Sequence, residues 1–183
     1  MLCFLVVGST MATIVKTDTS TEAKRNHMSV RFGLESPSDM PGKGYQSFSL
    51  NPGFSVASTL DFRIKRLGYL GATVDFSFAG SNYDVNITQI FWGFEAKFSP
   101  SQAPKRLLIR PGIAMGQSSV SGLPGKYNHS SLQGRAMLQF AYLYTDRPGY
   151  LAEIVWVRNI EDADINDVWE PEPYLLFRVG LTF

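Results

Sequence analysis

The chain has 183 residues, 44% of them hydrophobic and 13% aromatic but only 18% charged, below the roughly 25% of an average protein. Lys+Arg number 17 against 16 for Asp+Glu, a net charge of +1 that excludes a nucleic-acid binder built on basic excess. Abundant Phe and Tyr exclude disorder, and a mean hydropathy of -0.05 excludes a helical membrane protein, though not one that crosses with strands.

An uncharged stretch, Met1 to Val15, opens the chain. It is too short for a spanning helix of about 20 residues. Leu2 to Val7 has the character of a secretory h-region, and Thr10-Met11-Ala12 offers a small-residue cleavage site, so residues 1–12 read as a signal segment that lacks its basic start. A buried N-terminal strand is the alternative. Cys3, the one cysteine, would leave with the signal. Residues 13–28 form a polar lead-in, and 29–183 the folded domain.

From Ser29 onward the hydrophobic period is two. Val30, Phe32 and Leu34 alternate with Arg31, Gly33 and Glu35. The next runs put Phe54, Val56, Leu60, Phe62 and Ile64 against Ser55, Ala57, Thr59, Asp61 and Arg63, then Leu70, Val74, Phe76 and Phe78 against Gly71, Thr73, Asp75 and Ser77. Ile90, Trp92, Phe94 and Phe98 follow, opposite Gln89, Glu95 and Lys97. After them come Leu107 to Gly116 with Arg110 on the polar face, and Arg135 to Tyr142. Tyr150 to Ile160 is apolar on both faces, with Glu153 assigned to the polar set; Leu175 to Phe183 closes the series around Arg178. Pro111 lies mid-strand, where its missing donor predicts a bulge or local distortion.

Eight strands of about ten residues call for a closed, all-β, antiparallel up-and-down transmembrane β-barrel. Short connections near Arg66, Ser99–Lys105 and Asp146–Gly149 alternate with longer ones at Ser36–Gly53, Gln117–Ser131 and Glu161–Glu172, and with Ala79–Asn86. Such alternation is that of periplasmic turns and external loops. Three features set the apolar face toward lipid rather than toward the inside of a soluble, lipocalin-like ligand-binding barrel. The polar face consists of small residues with sparse charges, which fit a cramped eight-stranded lumen. Those charges nearly balance, Arg31, Arg63, Lys97, Arg110, Arg135 and Arg178 against Glu35, Asp61, Asp75, Glu95 and Glu153, as buried charges must. The apolar face carries almost no charge. Tyr69, Trp92, Phe98, Tyr142, Tyr144 and Tyr150 are expected in the aromatic girdles.

The final strand, Tyr174 to Phe183, with Phe177, Val179, Leu181 and the terminal Phe183 on one face, resembles the C-terminal signature of bacterial outer-membrane barrels. Ile109-Arg110-Pro111-Gly112 and the restarts Tyr69-Leu70-Gly71-Ala72 and Gly149-Tyr150-Leu151-Ala152 are similar to strands of the small OmpA/OmpX-like eight-stranded group. The resemblance implies a monomer in the Gram-negative outer membrane, with structural or surface-contact roles in the main. Its partners would be outer-membrane lipid, lipopolysaccharide and the barrel-assembly machinery that reads the C-terminal strand.

No cofactor, nucleic acid or enzymatic role is expected. Two loop features offer chemistry. His129 and Ser131 match the His-x-Ser pair of some outer-membrane lipid A deacylases, with Ser131 as nucleophile and His129 as base. The following Leu132-Gln133 departs from the Asn-Ala of that family. Asp162-Ala163-Asp164-Ile165-Asn166 opens like a calcium loop, with Asp162, Asp164 and Asn166 as ligands, but Asp167 stands where Gly belongs and Pro173 where the closing Glu belongs. A solvated acidic loop is the default there.

Overall fold

The computed structural model describes residues 26–42, 45–64, 67–82, 86–99, 107–123, 129–142, 148–160 and 172–183. Their regular structure is all strand: β1 (His27–Glu35), β2 (Ser38–Gly42), β3 (Tyr45–Leu50), β4 (Gly53–Ile64), β5 (Gly68–Gly80), β6 (Asn86–Phe98), β7 (Leu107–Ser121), β8 (His129–Tyr142), β9 (Gly149–Asn159) and β10 (Tyr174–Thr182). Strands β1 and β4 to β10 form a closed barrel in which every neighbour is antiparallel, and β1 pairs with β10 on one side and β4 on the other. Closure leaves no unpaired edge, a requirement wherever backbone meets hydrocarbon.

Register fixes the barrel's dimensions. A walk across paired residues runs from Ser131 through Ser118, Phe91, Asp75, Ala57, Arg31, Gly180 and Leu151. It returns to β8 at Ala141, ten residues from its start. With a rise of about 3.3 Å per residue and strands about 4.8 Å apart, that stagger tilts the strands by about 40°. A strand of about 12 residues then covers about 30 Å, the depth of a bilayer's hydrocarbon.

Burial follows the two-residue period and runs opposite to that of a soluble protein. Arg31, at 1% exposure, points into the lumen, whereas Phe94 and Ile113, at 68% and 67%, point out. The outward set includes Phe32, Leu34, Phe54, Phe62, Phe78, Trp92, Ile109, Phe140, Ile154, Trp156 and Val179. A water-soluble lipocalin-like barrel would expel this belt from its surface, so that alternative fails. Connections at one end, the turn end, span residues 65–67, 99–106 and 143–148; those at the other, the loop end, span 36–52, 81–85, 122–128 and 160–173.

The structure departs from the sequence reading in several places. β1 begins at His27, inside the expected lead-in. The first long connection holds the hairpin β2–β3, which the hydrophobic pattern of a loop concealed. It folds back on the barrel through Asn51 N–H to Gly80 O (2.9 Å), Asn82 N–H to Ser49 O (3.2 Å) and a bridge between Leu50 and Ser81. There Met40, Phe48 and Leu50 pack with Ala79, Ile87, Val120 and Leu123, an apolar lid across the loop end. β7 and β8 continue to Ser121 and back from His129, so the third loop is shorter than expected. Of the bulge or distortion expected at Pro111, there is no bulge, since the β7–β8 register is unbroken; the β6–β7 ladder does end at Gly112, just before the residue without an N–H. Tyr69 is not a girdle residue; it lies inside, 5% exposed. The signal segment and Tyr144 lie outside the described residues.

Candidate functional site in the barrel lumen

A closed barrel of this stagger encloses only enough space for its own side chains, so its chemistry is set by what the inward positions carry. Eight charged groups from seven strands form one alternating chain. Asp61 on β4 takes Lys97 Nζ at 2.8 Å, and Lys97 also reaches Glu95 on its own strand at 2.6 Å. Glu95 lies 3.5 Å from Arg31 on β1, which donates to both oxygens of Glu153 on β9 at 3.1 and 3.0 Å. Arg178 on β10 joins Glu153 (3.3 Å) to Asp75 on β5, which also accepts from Arg135 on β8 at 2.6 Å. Four cations thus alternate with four anions, and the chain is neutral. All eight are buried.

Neutral polar groups complete the packing. Arg31 also donates to Thr59 and Thr73, Gln139 Nε2 donates to Glu153 (3.1 Å), Arg178 Nε to Ser55 (3.2 Å) and Arg135 Nε to Gln133 (3.0 Å). Tyr174 O–H donates to Gln89, which donates to Ser118 (2.9 and 2.8 Å). Buried charges persist only where attraction and hydrogen bonds offset desolvation. Glycine makes room for the long side chains: Gly180 sits opposite Arg31 and Gly33 opposite Arg178 across the β1–β10 seam. A Cβ on Gly180 would lie 2.1 Å from Val30 O and 3.0 Å from Arg31 Cγ.

Three expected lumen charges stand outside the chain. Glu35 is buried at the loop end. Arg63 and Arg110 lie at the turn end, their guanidinium carbons 4.8 and 4.4 Å from the Tyr69 ring centre, with the His27 ring 5.4 Å from the same ring. A second apolar cluster, Phe91, Ala114, Met137, Val155, Val157, Tyr174 and Leu176, fills one side of the lumen. Its members, and Thr59, Thr73, Gln89 and Gln139, were open to sequence reading only through the inward parity of their strands.

Ser131 lies on β8, not in a loop, and faces the lumen, 4% exposed, in register with Ser118. The backbone of His129 pairs with Val120. Asp162, Asp164 and Asn166 fall outside the described residues, and among the described ones no cluster of metal-ligating side chains occurs. Phe177, Val179, Leu181 and Phe183 all face outward, and Phe183 and Met28 exchange backbone hydrogen bonds at 2.8 and 3.3 Å.

Fold and surface together define a small membrane-spanning β-barrel, and the fold is that of bacterial outer-membrane barrels. Among solved structures, Neisserial surface protein A (NspA) is similar at a TM-score of 0.58 and 12% identity, covering 85% of this chain and 95% of that one. Also similar are Ail, the attachment invasion locus protein of Yersinia pestis (TM-score 0.46, 10% identity, 87% and 99% covered), and the outer membrane enzyme PagL (0.46, 13%, 86% and 98%). No family model matches the sequence, and no curated protein is similar to it.

Proposed function

We propose that this chain is an outer-membrane structural or surface-contact protein whose lumen is plugged, its contacts with other molecules being made from the loop end. One observation carries the reading: the neutral chain from Asp61 to Arg135 crosses the lumen beneath the apolar lid of Met40, Phe48 and Leu50. An ion entering from the turn end would have to break buried pairs and then pass dry side chains. Porin function needs a far wider barrel.

Two partners follow from the surface. The aromatic and aliphatic belt suits lipid, with lipopolysaccharide around the loop end. The outward row Phe177, Val179, Leu181 and Phe183 suits capture of the C-terminal strand by the assembly machinery before closure. The hydrolase alternative gains no support from Ser131, since a nucleophile inside the barrel meets no acyl chain of the surrounding lipid. Reconstitution into a planar bilayer tests the proposal: the folded, heat-modifiable protein gives no steady open conductance, and a steady porin-like conductance would refute the plug.

A further inference from the structure

The turn-end pair of arginines is unlike the others. Arg178, Arg31 and Arg135 each face carboxylates, but among the described residues neither Arg63 nor Arg110 has one within salt-bridge distance. Asp61 is committed to Lys97 at 2.8 and 3.1 Å. Arg110 is 2% exposed, and among the described residues its one side-chain hydrogen bond is from Nη1 to Gln139 at 3.5 Å. Its Nε and Nη2, both buried, have no partner among the described residues, and the Nε of Arg63 has none among them either. Nε and Nη2 together form the side of a guanidinium that grips an oxyanion through two parallel hydrogen bonds. The Tyr69 ring offsets some of the cost of bringing two cations together, because its negative face attracts both. A ring face supplies no acceptor for the open donors.

We propose that the turn end of the lumen is a phosphate-binding site, with Arg110 as the two-pronged donor and Arg63, half-buried at the rim, supplying the second positive charge. Tyr69 holds both guanidinium groups in place, and His27, whose Nε2 lies 3.4 Å from the Tyr69 hydroxyl, borders the site. Two guanidinium charges match a phosphate dianion, and a buried fork favours an anion able to fill both prongs. The proposal does not depend on the loop-end role of the protein. The phosphate group can come from free inorganic phosphate or from a phospholipid headgroup reaching in from the adjoining leaflet.

The test is phosphorus NMR of the folded protein in a phosphate-free detergent, titrated with inorganic phosphate at constant ionic strength set by chloride. Wild type should broaden the phosphate resonance saturably. Arg110→Gln and Arg63→Gln should each weaken that binding at least tenfold while the protein still shows its heat-modifiable band. Arg63→Gln, at the rim, keeps the test open if the buried substitution hinders folding. Absence of saturable broadening in wild type, or its survival in both variants, would overturn the site. Repeating the titration in micelles doped with phosphatidylglycerol separates the sources. Loss of the saturable broadening there assigns the site to a headgroup, and its persistence assigns it to the ion.

Discussion

At the scale of single residues, the lumen is governed by partnership more than by burial. Glu153 is the most connected carboxylate, taking Arg31, Arg178 and Gln139. Glu153→Ala would leave two guanidinium groups buried without their shared anion and should cost about 3–5 kcal/mol, read from denaturant unfolding in micelles. Gly180→Val presses side-chain atoms into the Val30 carbonyl and the Arg31 stem, and should abolish the heat-modifiable band. Gly80→Ala is the matched control, because an added Cβ there meets only Asn51 Nδ2 at 3.6 Å. Charge sign and inward parity could be read from the linear order of residues. Pairing could not: that Arg178 serves both Glu153 and Asp75 depends on the barrel's stagger, which no local pattern encodes.

At the scale of elements, the eight barrel strands were legible because each must present one face to lipid and one to the lumen, a constraint that writes period two into the sequence. The hairpin β2–β3 was not. Its strands are short, Ser-, Pro- and Gly-bearing, and Met40, Phe48 and Leu50 point toward the barrel mouth rather than into a sheet face that repeats. Tyr69 misled for a related reason, since an aromatic near a strand end suits a girdle by composition while its parity turns it inward. Because the lid is a separate two-stranded unit, Phe48→Asp should release it alone. Amides of Met40 and of β3 would then lose hydrogen-exchange protection while those of β5 and β9 keep theirs. Equal loss throughout the barrel would show that lid and barrel unfold together.

At the scale of the whole molecule, the arrangement is inside-out, and the average composition hides this because an apolar outer face and a polar inner face cancel. Phe94 tests the arrangement directly. It is among the most exposed apolar residues and sits mid-strand in β6. Phe94→Arg should lower stability in lipid vesicles by about 2–4 kcal/mol, as for an arginine at the bilayer midplane. In a soluble barrel the same change would be close to neutral. The candidate phosphate site was invisible at this scale as well: six cations against five anions looks like near-balance, and only their positions separate a neutral chain of eight from two arginines left at one end.

The Arg31–Glu153–Arg178 triad has a kinetic consequence. Arg31 belongs to the first barrel strand, Arg178 to the last, and Glu153 to the strand before it, so the triad is completed only when the chain's two ends meet. Until that moment Arg31 lacks Glu153, the carboxylate that takes Nη1 through both its oxygens, which discourages insertion of an open sheet into lipid. A slip of the seam by one residue would turn Arg31 or Arg178 outward toward hydrocarbon. Only the observed alignment of the seam therefore brings both arginines to the one carboxylate, so the triad favours that alignment over its slipped alternatives.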